Sequence, residues 1–141
     1  MQKVQFIFND RNPTLKERNK LKSFINLLFK REKRGLETIS YIFCSDEFLL
    51  GLNKQFLNHE FYTDVITFDL SAPGMDTTAE VYLSIDRIKE NAKKLKTSFA
   101  EELHRVIFHG TLHLCGYKDK KKEDQVNMRS AENKYLKLYF K

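Results

Sequence analysis

The chain has 141 residues, 41% of them hydrophobic and 31% charged, enough for one core of its own and too few for a string of domains. No run approaches the roughly 20 apolar residues of a membrane span, and no repeat, Pro/Gly-rich tract or low-complexity tract occurs, so membrane-spanning, solenoid and disordered classes are set aside. The net charge of +6 suits an anionic partner such as nucleic acid, without saying which anion.

In chain order, Val4 to Phe8 (VQFIF) is a short β-rich run ended by Asn9-Asp10. Thr14-Leu-Lys-Glu17 has the form of a capping box, and predicts the start of a helix carrying Leu21, Phe24, Ile25 and Leu28 and stopping near Gly35. Thr38 to Cys44 (TISYIFC) alternates as a strand should, and Asp46 to Leu57 reads as a second helix that Gly51 weakens. Val65 to Leu70 and Glu80 to Ser84 are two more strands, separated by turn residues around Pro73-Gly74. Ser84 to Leu95 is amphipathic and helical. Ser98-Phe-Ala-Glu101 is a second capping box, opening the helix that carries His109 and His113. The last helix, Glu123 to Tyr139, sets Met128, Ala131, Tyr135 and Leu138 on one face. Four strands mixed with about five helices, with no linker, predict one α/β domain over residues 1–141, built on a single sheet.

The first residues, MQKVQFIFNDRN, hold no long apolar core, so no secretory signal is expected. Cys44 and Cys115 then read as free thiols in a reducing cytoplasm. Positive charge gathers in two places. Lys16 to Arg34 suits an ordinary solvated helix face, whereas Lys118, Lys120, Lys121 and Lys122 follow directly on the histidines and are candidates for contact with an anionic substrate such as nucleic acid.

His109 and His113 stand one helical turn apart on one face, where two imidazoles can meet one metal ion. Gly116 suits the left-handed residue that ends a helix, and Asp119 is then within about 10 Å of reach as a third ligand. Three protein ligands leave a fourth position open, the pattern of a catalytic zinc site; two histidines and a carboxylate also hold Fe(II). The competing interpretation is a pair of hydrogen-bonded core histidines. Gly110 stands where the zinc-protease motif has its glutamate base, which counts against peptide hydrolysis. Tight packing against the sheet is an equally good reason for a glycine there. Asp64 serves either as support for the site or as a strand-start turn residue; Cys115 reads as core filler, and His59 and His104 as surface or supporting residues.

The stretch HGTLHLCGYKD (His109 to Asp119) resembles the HGxLHLxGYDH motif of the YbeY family, bacterial single-strand-specific endoribonucleases that mature ribosomal RNA. The likeness extends through Leu52-Asn53, Thr63-Asp64-Val65-Ile66-Thr67-Phe68, Ala79-Glu80-Val81, Glu101-Glu102-Leu103, Met128 and Glu132. It implies a mixed sheet with the metal on a central helix, one zinc ion per chain, and single-stranded ribosomal RNA and the ribosomal subunit as partners, with no DNA. It also implies action at the 3′ end of 16S ribosomal RNA and in ribosome quality control. Two positions depart from the pattern. The third family histidine falls on Asp119, and the family's Tyr-Arg pair falls on Phe56-Leu57, which removes an arginine. An RNA-binding protein with a structural metal is therefore the alternative expectation.

Overall fold

The computed structural model describes residues 3–141; Met1 and Gln2, at the start of the stretch read for an export signal, lie outside it. Four strands, β1 (Val4–Phe8), β2 (Leu36–Cys44), β3 (Val65–Asp69) and β4 (Thr77–Ser84), form one sheet in the order β1-β2-β4-β3. The first three in that order run parallel, and β3 closes the edge antiparallel to β4, so the sheet is mixed. Five α-helices accompany it: α1 (Arg18–Arg31), α2 (Asp46–Leu52), α3 (Ile85–Leu95), α4 (Phe99–Leu114) and α5 (Lys122–Tyr139).

Strand alternation explains the layers. Ile39, Tyr41 and Phe43 of β2 and Ala79, Val81 and Leu83 of β4 face one side, where α1, α3, α4 and α5 complete the main core. Ile42, Cys44 and Ile66 face the other side and meet Leu49 of α2 in a smaller cluster, against which Leu52, Phe68 and Tyr82 pack. Helix α4 lies centrally, packed on β3 and β4 and flanked by α3 and α5. A buried hydrogen bond ties it to the sheet: Thr111 Oγ1 donates to the Ile107 carbonyl at 2.7 Å, and so accepts from Tyr41 Oη at 2.6 Å.

Three helices are capped as their sequences imply. Ser45, Ser84 and Ser98 each accept a backbone N–H from three residues ahead, at 3.0–3.2 Å. The Glu101 carboxylate, however, accepts from the Thr97 hydroxyl. The capping box expected at Thr14 does not form. Glu17 precedes α1 in the left-handed conformation (φ 52°) and no side chain caps this end. The expected helix over 46–57 changes character at Asn53, where a π-helical turn (Asn53–Leu57) follows α2 and ends on left-handed Asn58. Gly51 is not the cause, since it stands within α2 beside open space. On α5, Met128, Ala131 and Tyr135 are buried as expected, whereas Leu138 is exposed and Glu132, Leu136 and Tyr139 are buried instead.

Candidate metal centre

Helix α4 brings His109 and His113 side by side, and its end returns the chain to them. Cys115 follows the last helical turn, and Gly116 adopts the left-handed conformation (φ 101°) that turns the backbone back. Asp119 thereby reaches the histidines. His109 Nε2 and His113 Nε2 are 3.1 Å apart, and each is 3.2 Å from Asp119 Oδ2. Among the described residues, these three form the one His/Cys/Asp/Glu group whose atoms could hold a metal ion, all within 4.8 Å of one another. Ligands of a tetrahedral ion at about 2.0–2.1 Å stand roughly 3.3 Å apart, so the triangle has the right size.

Proton bookkeeping strengthens the fit. His113 Nδ1 lies 3.0 Å from the Tyr117 carbonyl, which can only accept, so Nδ1 carries a hydrogen, and in the neutral ring Nε2 presents a lone pair. His109 Nδ1 donates to Glu132 Oε2 at 2.6 Å, and in the neutral ring its Nε2 is likewise a lone pair. Two lone pairs and a carboxylate oxygen then face one another at hydrogen-bond distance. With both rings neutral, a divalent cation satisfies all three at once.

Glu132, on α5, is the most deeply buried acid at the centre, 4% exposed. Burial pushes its carboxyl up, but the bond and charge of His109, with Arg105 and Arg129, outweigh this and hold it below the usual carboxylate range. Its other oxygen accepts from Arg105 Nη1 at 3.1 Å. For His109, burial pushes the imidazole down, whereas Glu132, Asp64 and Asp119 push it up, and the net direction is up. The part played by Glu132 is not readable in the sequence, because it lies in a helix distant along the chain.

Gly110 faces the sheet. A Cβ there would stand 2.9 Å from Val81 Cγ1 and 3.2 Å from Thr67 Cγ2, so close packing accounts for this glycine. Asp64 immediately precedes β3. Its carbonyl accepts from Ser84 N at 2.9 Å at the strand start, and its carboxyl, pushed up by burial, lines the cavity beside His109. Cys115 is buried, and burial pushes its thiol up to about 12. His104 lies in the core against Tyr139, its Nδ1 on the Ala100 carbonyl at 2.6 Å, away from the centre.

The donors open into a cavity of about 400 Å³ that is also lined by Leu57, His59, Phe61 and Lys120. Lys122 lines a second groove that shares His109 and Asp119. Lys118 lines a third with Arg34 and Gly116, and Lys121 precedes α5. All four lysines are exposed. Among the described residues, no helix is long and apolar enough to cross a membrane.

A family model described as endoribonuclease YbeY matches residues 7–139. Among curated relatives, endoribonuclease YbeY of Cytophaga hutchinsonii is 42% identical over 135 residues, covering 96% of this chain and 94% of that protein. Endoribonuclease YbeY of Flavobacterium psychrophilum is 44% identical over 125 residues, 89% of each chain. A solution structure of a Thermotoga maritima protein superimposes with a TM-score of 0.62 at 25% identity, covering 97% of this chain and 89% of that one.

Proposed function

The chain belongs to the endoribonuclease YbeY family, and from that premise we propose that it is a zinc-dependent, single-strand-specific endoribonuclease of the cytoplasm. It acts in ribosomal RNA maturation, at the 3′ end of 16S ribosomal RNA, and in ribosome quality control. Its partners are single-stranded RNA and the ribosomal subunit. The observation that carries this reading is the triangle of His109 Nε2, His113 Nε2 and Asp119 Oδ2, 3.1–3.2 Å apart, the spacing of ligands on one ion.

In this reading His109, His113 and Asp119 hold one zinc ion per chain. Glu132 and the Tyr117 carbonyl fix the two imidazole rings from behind, as outer partners of metal ligands do. When bound, the ion supplies Lewis-acid polarisation of a phosphoryl oxygen. Lys120, on the cavity wall, and Lys118, Lys121 and Lys122 around it attract the phosphate backbone. Gly110 leaves no side chain to act as a protease base.

One observation favours a second reading. Leu57 presents an exposed apolar side chain to the cavity where the family pattern has an arginine. An RNA-binding protein with a structural metal would tolerate that loss. The deciding experiment incubates the full chain with fluorescent single-stranded RNA, and separately with casein, with and without a chelator. Cleavage of RNA alone, abolished by chelation and restored by zinc, is expected. RNA binding without cleavage at any divalent ion tested would favour the second reading, and casein cleavage would overturn both.

A further inference from the structure

The wall of the cavity opposite the histidine pair ends in an aromatic ring that the fold leaves in water. Phe61 is 56% exposed, so the face of its ring is open to a ligand. It stacks on His59 with ring centroids 4.9 Å apart and planes inclined by 22°. Both rings line the cavity that holds His109, His113, Asp119 and Lys120.

The segment presenting these rings is held on both sides. Asn53, 1% exposed at the start of the π-helical turn, donates from Nδ2 to the Phe61 carbonyl at 2.9 Å, and its own carbonyl accepts from His59 N at 3.0 Å. Next along the chain, Tyr62 donates to Glu47 Oε1 at 2.8 Å and lies under the Arg87 guanidinium, 5.1 Å from the ring centre. The buried Asn53 amide thus holds the backbone from which the exposed Phe61 ring projects. Single turns of π-helix are frequent at functional sites.

We propose that Phe61, backed by His59, is a stacking platform for one nucleobase of the single strand bound across the candidate metal centre. This rests on the ribonuclease reading and names the feature of the substrate it selects. A flat aromatic pair, a lysine for the backbone and a phosphoryl-binding centre within one cavity are the parts that single-strand binding combines. A base already in a duplex has both faces covered and cannot use the platform, so Phe61 favours unpaired RNA.

The test measures binding of a short fluorescent single-stranded RNA to the full chain by anisotropy, with metal stripped and with zinc added. Phe61→Ala is expected to weaken binding about tenfold, the size of one lost base–aromatic stack. Phe61→Leu should weaken it similarly and Phe61→Trp should restore it. On an oligonucleotide made abasic throughout, wild type and Phe61→Ala should bind equally. Equal affinity of wild type and Phe61→Ala for the normal oligonucleotide would overturn the platform and leave the exposed ring to a protein surface; if that variant still cleaves RNA, the ribonuclease reading survives. A wild-type chain that neither binds nor cleaves single-stranded RNA would overturn both.

Discussion

Glu132 of α5 orients His109 of α4: the carboxylate Oε2 accepts from Nδ1 at 2.6 Å, turning the opposite nitrogen toward His113 and Asp119. The same carboxylate engages Arg105, so one buried group joins the candidate metal centre to the packing of α4 against α5. Replacing it by alanine frees the ring and leaves the Arg105 guanidinium short of a partner. Glu132→Ala is expected to lower zinc affinity 10- to 100-fold, measured by competition with a chelating dye. Unchanged affinity would mean that packing alone orients His109.

Gly110→Ala sets two effects against each other. Alanine gains about 1 kcal/mol in helix propensity over glycine. Its Cβ, however, would stand 2.9 Å from Val81 Cγ1, a fully buried contact on a central strand, and overpacking of this kind costs about 1–3 kcal/mol. The variant should therefore be less stable in denaturant melts. A stabilised variant would show that α4 can lift from the sheet freely.

The parts of the centre legible in the sequence are local ones. His109, His113, Gly116 and Asp119 fall within one helix and its exit, where spacing and a left-handed glycine determine geometry. Glu132 and the cavity wall at His59 and Phe61 depend on how α5 and the segment after α2 dock, which no local pattern records. The same limit applies to the fold. Strand existence follows from alternation, but the order β1-β2-β4-β3 arises from long-range pairing. Thr14 fails as a cap because Glu17 takes the left-handed conformation before α1, a choice that the capping pattern cannot reveal.

Glu102 carries a pH-dependent penalty. It is buried, its Oε1 meets no hydrogen-bond donor, and Arg105 Nε stands 3.9 Å away. Burial pushes its carboxyl up, and the charge of Arg105 only partly opposes this. A carboxyl raised in the folded state destabilises the fold once the pH exceeds the unfolded value near 4.5, and the penalty levels off above the raised folded value. Glu102→Gln should therefore melt higher than wild type at pH 7, with the gap closing as the pH falls toward 4. A gap independent of pH would place the effect in packing instead.

Lys120 is the basic residue that shares the cavity with the three donors. Lys120→Ala should weaken single-stranded RNA binding and reduce the slope of log affinity against log salt by about 0.7, the value for one phosphate contact. Lys118→Ala, in the groove with Arg34 and Gly116, should change the slope less. Identical slopes for wild type and Lys120→Ala would make that lysine solvated surface.

The centre itself is tested most directly by the metal content of the purified full chain, read by mass spectrometry beside a His109→Ala, His113→Ala double variant. One zinc per wild-type chain and none in the variant are expected, together with loss of the metal-dependent rise in melting temperature, which at 100 times the dissociation constant corresponds to about 2.7 kcal/mol. A wild-type chain that takes up no divalent metal, or full zinc occupancy in the double variant, would contradict the assignment of His109, His113 and Asp119.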